Sequence, residues 1–244
     1  MLGCDSSELT PEIRQRIGYV TEGHRLFGWM NISEIEKFQK AFFPGSWDDK
    51  LFNEMIEYFE LSKKQRIKKL SNGQRAQVSL ALTLAPNPEL LIMDDPTLGL
   101  DAAIRRQFLE GIIQLITRQG RTVLFSSHIL ADVERVAERI IVLDGGKCKA
   151  DCSVEQFRKS VQKFIFKFED KVPEEIDIAG LIRYRCDGDQ LEMSVIDAEK
   201  SVIEDWAKKT GAKEYDEVKM NLEDQFIEFT SPARKGKLFD WEKK

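Results

Sequence analysis

The chain has 244 residues, of which 42% are hydrophobic and 32% charged. That balance is the one found in ordinary folded proteins, with enough chain for one large domain or a core domain with an appendage. The net charge of -5 and the pI of about 5.4 argue against a nucleic-acid-binding surface.

No segment approaches the roughly 18 apolar residues of a membrane span. The start, MLGCDSSELTPE, is polar and acidic and does not read as a signal peptide. A role at a membrane therefore requires docking on a partner. Without a secretion signal, Cys4, Cys148, Cys152 and Cys186 read as free thiols. Cys148 and Cys152 form a C-x3-C pair, but His24 and His128 lie far from it in sequence and complete no zinc ligand set.

Taken in chain order, Ile17-Gly18-Tyr19-Val20 is the first strand candidate. Residues 48–61 place Leu51, Met55, Ile56 and Phe59 at helical spacing. Residues 74–85 read as a buried helix ended by Pro86-Asn87-Pro88, and Leu90–Met93 is a short apolar run between polar flanks. Residues 102–118 form an amphipathic helix closed by Gly120. Thr122–Phe125 and Ile140–Leu143 are further apolar runs. Apolar strands separated by helices predict an α/β fold with a mostly parallel sheet covered on both faces.

The pattern changes near residue 155. Phe164, Phe166 and Phe168 alternate with Ile165 and Lys167, as in a half-buried strand. Ile182–Cys186 and Leu191–Val195 flank Asp187-Gly188, a hairpin signal. Residues 198–209 read as a helix that stops before Gly211. The predicted organisation is 1–152 as one domain, 153–230 as a small α+β domain, and 231–244 as a loose tail.

Chemistry concentrates between residues 70 and 128. Leu70-Ser71-Asn72-Gly73-Gln74 opens a helix, where backbone N–H groups and the helix dipole favour an anion. Taken alone, Ser71 is an ordinary helix cap. Asp94 and Asp95 end an apolar strand, the edge at which ligands of open α/β sheets gather. A carboxylate there suits Mg²⁺. Gly99-Leu100-Asp101 follows, and Ser126-Ser127-His128 ends the next strand.

This order and spacing resemble the ATP-binding domain of ABC transporters over roughly residues 1–150. Leu70, Ser71, Asn72, Gly73 and Gln74 look like the family's signature motif, with Asn72 where Gly is usual. Leu90–Asp94 resemble the Walker B strand, Gly99-Leu100-Asp101 the D-loop, His128 the switch histidine, and Ile17–Glu22 the Q-loop strand. Arg139–Lys147 look like the strand and turn that close this domain. The stretch from Asn221 to Phe226 is similar to the appendage of bacterial multidrug or antibiotic exporters.

The resemblance implies a P-loop NTPase-like fold with a helical signature subdomain, and ATP with Mg²⁺ as cofactors. Asp94 is then the Mg²⁺ ligand. Asp95, His128 and Glu22 are the catalytic candidates, and Leu70–Gln74 with Asp101 complete a nucleotide site. The implied partners are a second ATP-binding domain, identical or not, and a transmembrane permease subunit met by Phe27, Trp29 and Met30. Nucleic acid is not expected. The implied location is the cytoplasmic face of the membrane, as a peripheral subunit.

Three features depart from the family pattern. G-x-x-x-x-G-K-[ST] occurs nowhere, which predicts that the P-loop and the strands before it are missing from this sequence. Asp95 stands where Glu is usual, and Glu22 where Gln is usual. Two other readings follow: a non-catalytic partner completing another subunit's ATP site, or a soluble relative acting on nucleic acid or the ribosome.

Overall fold

The computed structural model describes residues 1–119, 121–169 and 171–230. The helix stop at Gly120 and the tail at 231–244 lie outside the described residues. Contacts along the chain divide it into Met1–Ile129 and Leu130–Lys244. The domain boundary expected at 152/153 falls inside the second unit.

In the first unit, helix α1 (Pro11–Gln15) leads into strand β1 (Ile17–Val20). Then come α2 (Ile32–Lys40), α3 (Asp49–Tyr58), α4 (Asn72–Leu84), β2 (Leu90–Met93), α5 (Ala102–Gln119) and β3 (Thr122–Phe125). The strands form a parallel sheet in the order β1-β2-β3, with Tyr19, Ile92 and Leu124 in one register row. Polar side chains set the helix starts: Asn31 and Ser71 form capping boxes with Glu34 and Gln74, and Asp48 caps α3.

On one side of this sheet Val20, Leu91 and Met93 are fully buried. Helix α4 packs on β1, α3 and α5, and nine of its residues are buried, which explains why its sequence shows little amphipathic contrast. On the other side Tyr19 is 54% and Leu124 52% exposed. The expected cover on both faces is therefore not found at these positions.

The second unit holds α6 (Leu130–Val136), β4 (Arg139–Asp144), β5 (Lys147–Ser153), α7 (Val154–Ser160) and β6 (Val161–Lys167). It continues with β7 (Leu181–Asp187), β8 (Gln190–Ile196), α8 (Lys200–Thr210), β9 (Glu214–Glu217) and α9 (Leu222–Thr230). The apolar run Ile140–Leu143, read as one more strand of the parallel sheet, instead pairs antiparallel with β5 in a separate two-stranded sheet. Period alone cannot tell which neighbour a strand takes.

The other four strands form an antiparallel sheet in the order β7-β8-β6-β9. Asp187 pairs with Gln190, so the two-residue hairpin loop is Gly188-Asp189, one position later than the sequence signal. Phe164 and Phe166 face α8 with Leu191, Met193 and Val195.

On the opposite sheet face, α9 buries Glu228, which accepts from Arg183 at 2.6 Å, Ser194 at 2.9 Å and Lys163 at 3.3 Å. Glu228→Ala leaves two half-buried cations short of their counter-charge. The expected cost is about 2–4 kcal/mol, and Glu228→Gln, which keeps an acceptor, loses less. Urea unfolding of the two variants checks this.

Candidate functional site

Hydrogen bonds continue the strand pairing past β1, β2 and β3. Asp94 N–H donates to the Val20 carbonyl at 2.9 Å, and Ser126 N–H to the Met93 carbonyl at 2.9 Å. Asp94, Asp95 and Ser126 therefore meet at one carboxyl edge of the sheet, and His128 reaches the same place. Ser126 Oγ donates to Asp94 Oδ1 at 2.8 Å and accepts from Asp95 N–H at 2.9 Å. Asp95 takes a left-handed backbone conformation, with φ 44°.

His128 Nδ1 is bonded to Asp95 Oδ2. An ionised carboxylate only accepts, so Nδ1 carries the proton. In the neutral ring Nε2 is then a bare acceptor. Contact with a phosphate oxygen requires a proton on both nitrogens. The two residues given separate roles by the sequence thus form a pair, with His128 at the solvent side and Asp95 largely enclosed. Asp95 Oδ1 is buried without a hydrogen-bond partner.

Glu22 lies exposed beyond β1. Two residues later, His24 is only 3% exposed, and its Nε2 lies 3.0 Å from the Pro96 carbonyl. That carbonyl only accepts, so Nε2 carries the proton, and Nδ1 is left buried without a partner. His24 thus ties the loop after β1 to the loop after Asp95, a role its isolated position in the sequence did not signal.

Burial pushes the His24 pKa below its ordinary value of 6.5; the Pro96 bond opposes this and nearby Arg75 adds to it. Below about pH 6.5 the unfolded chain binds a proton that the native chain resists, so stability falls as pH falls. His24→Gln, which keeps a donor for Pro96, is expected to lessen this acid sensitivity. Thermal midpoints of both proteins at about pH 7.5 and about pH 5.5 check it.

The signature-like residues stand at the start of α4. Ser71 Oγ accepts from Gln74 N–H, and Gln74 Oε1 accepts from Ser71 N–H, both at 3.1 Å. Asn72 Oδ1 is held by Arg75, and Leu70 is buried. A Cβ on Gly73 would lie 2.7 Å from Ile104 Cγ2, so the close approach that this glycine permits is of α4 to α5. Asp101 Oδ1 accepts from Ala103 N–H at 3.1 Å and Ile104 N–H at 3.0 Å, capping α5. Among the described residues, no hydrogen bond joins Leu70–Gln74 to Asp94, Asp95 or His128.

Among the described residues, no group of three or more His, Cys, Asp or Glu side chains could by itself hold a metal. The carboxylate edge nevertheless fits Mg²⁺. Asp94 and Asp95 bring carboxylate oxygens there, and Asp95 Oδ1 has no protein partner. Mg²⁺ takes few carboxylates and completes its shell with water and phosphate oxygens.

Phe27, Trp29, Phe38 and Phe42 form a run of exposed rings. Centroids are 6.1 Å apart for Phe27–Trp29, 5.6 Å for Phe27–Phe38 and 5.2 Å for Phe38–Phe42. Trp29 is 67% exposed, whereas Met30, expected beside it, is only 7% exposed and belongs to the core.

A protein-family model described as "ABC transporter" matches residues 3–98. The chain is 31% identical over 150 residues to the molybdenum import ATP-binding protein ModC of Paramagnetospirillum magneticum, covering 61% of this chain and 41% of that protein. It is 37% identical over 105 residues to the Nod factor export ATP-binding protein I of Neorhizobium galegae, covering 42% and 30%. It is 34% identical over 155 residues to the phosphonates import ATP-binding protein PhnC of Trichormus variabilis, covering 58% and 63%. The chain spans about half the length of the curated relatives it matches. Among solved structures, a dimeric ATP-binding cassette in a post-hydrolysis state bound to ADP and Pi is similar with a TM-score of 0.53 and 27% identity, covering 62% of this chain and 68% of that one.

Proposed function

We infer that this chain, whose residues 3–98 match a family model described as "ABC transporter", is an ATP-hydrolysing subunit that powers transport through a separate membrane permease. The observation that carries the reading is the meeting of Asp94, Asp95, Ser126 and His128 at one sheet edge, joined by direct hydrogen bonds. A carboxylate that can hold a cation, a second that can orient water and a histidine that can donate to a phosphate are what phosphoryl transfer to water needs.

Asp94 would hold Mg²⁺, which when bound neutralises charge on phosphate oxygens. Asp95 orients the attacking water and draws its proton. His128 contacts the terminal phosphate when protonated on both nitrogens. Glu22 stands beside this edge on the neighbouring loop. The Ser71-capped end of α4 serves an ATP held by a second ATP-binding domain.

The exposed Phe27, Trp29, Phe38 and Phe42 support docking on the permease, since clustered exposed rings mark interaction surfaces. Among the described residues, no helix is long and apolar enough to cross a membrane. We propose a peripheral subunit at the cytoplasmic face, a reading supported by the likeness to ATP-binding proteins of transporters. The similar proteins include ATP-binding proteins of import and of export. The export direction proposed here rests on the second unit, whose Asn221–Phe226 stretch resembles the exporter appendage.

A second reading has the P-loop supplied by a different subunit, whose ATP the Ser71-capped end of α4 would cover. The test is to isolate the native complex from membranes and measure both its ATP hydrolysis and the intact mass of this subunit. Hydrolysis with a mass above 28.2 kDa places the P-loop on the same polypeptide. Hydrolysis with a mass of 28.2 kDa places it on the partner. A complex that does not hydrolyse ATP overturns both readings.

A further inference from the structure

We propose that Ser126 is a positioning residue that fixes Asp94 and Asp95 relative to each other through one directional hydrogen-bond chain. The proposal rests on the reading of those two residues as the working carboxylates. Ser126 Oγ lies 2.9 Å from Asp95 N and 2.8 Å from Asp94 Oδ1. The amide can only donate and the carboxylate can only accept. The hydroxyl has one proton, so the order is fixed: Asp95 N–H to Oγ, then Oγ–H to Asp94 Oδ1.

Two consequences follow. One oxygen of Asp94 is taken, which sets which oxygen is left to face a cation or water. The backbone of Asp95, at φ 44°, is held by its own N–H in a conformation that side chains disfavour. Ser126 itself is anchored, because its N–H donates to the Met93 carbonyl at 2.9 Å. The strand end therefore acts as a rigid outer support for the groups that touch substrate. Two residues further on, His128 holds the other end of Asp95. The end of β3 thus grips Asp95 at its backbone and at its side chain.

Ser126 is exposed, so its replacement should not unfold the chain. The test compares Ser126→Thr, which keeps a hydroxyl, with Ser126→Val, which has the same shape without one. Amide hydrogen exchange and carboxyl ¹³C shifts are read by NMR on the 244-residue protein with no nucleotide present. In Ser126→Val the Asp95 amide should exchange roughly five- to tenfold faster. The Asp94 carboxyl signal should move, while the Asp94 amide, bonded to Val20, stays protected. Ser126→Thr should match the wild type.

In the native complex, Ser126→Val should lower kcat for ATP about tenfold or more with little change in KM. Unchanged exchange in Ser126→Val, loss of protection in both variants, or an unchanged kcat in a hydrolysing complex each overturns the proposal. A wild-type complex that hydrolyses no ATP sinks the transporter reading instead, and the exchange data still decide the role of Ser126.

Discussion

Asp95→Asn is expected to lower ATP hydrolysis by the native complex about 100-fold or more while leaving the chain folded. The side chain keeps its size, so the effect isolates the lost charge and proton acceptor. Asp95 Oδ2 takes the His128 proton, and Oδ1 is buried without a protein partner. With the proton kept on Nδ1, Asn turns its oxygen toward His128. Its amide then fills the orphan position with a donor, where a water to be activated needs an acceptor. Substrate-saturated rates of wild type and variant check this, with far-UV circular dichroism as the folding control.

Asp95→Glu provides the contrast. It restores the residue usual in the resembled family and keeps the acceptor, so its rate should stay within about tenfold of wild type. If Asn is as active as Asp, Asp95 is not the group that draws the proton. The alternative is then that His128 or a group on another subunit does so, and Asp95 serves only to orient His128.

The sequence showed which residues carry charge at strand ends, but not whom they touch. Leu90–Met93 is a short apolar run between polar flanks, so its being a strand was legible, and with it the place of Asp94 at the strand's end; its central position was not. The Ser71 cap was legible for the same local reason, since a capping box spans only four positions. Ser126 and His24 were not. Their partners lie 32 and 72 residues away, and no periodic pattern encodes such pairs. The close approach of Ile104 to Gly73 was not legible either, because it joins two helices through residues 31 positions apart in the chain. The run Ile140–Leu143 looked like the other strands, and only the tertiary fold gives it β5 as a partner. The expected cover over Tyr19 and Leu124 failed because apolar content states what a strand prefers to bury, not whether a cover is there.

In the second unit the largest stability effect is expected at Phe166. Its side chain is fully buried, and its ring meets Trp206 at 4.9 Å and Tyr215 at 5.5 Å. It sits on β6, which pairs with β8 on one side and β9 on the other. Truncation therefore opens a hole between the sheet and α8 that the paired strands cannot move to fill. Phe166→Ala should cost about 3–5 kcal/mol, from lost transfer energy and from the cavity. Phe166→Leu keeps most of the volume and should cost less than half as much. Urea unfolding followed by the indole N–H resonance of Trp206 in NMR spectra reads both values in this unit. Because contacts divide the chain in two, amide protection at Leu80 and Leu91 gives an independent readout of the first unit. Protection that survives there while the Trp206 signal is lost would show that the carboxylate edge holds its fold without the appendage. Simultaneous loss would make the second unit a condition for the site itself.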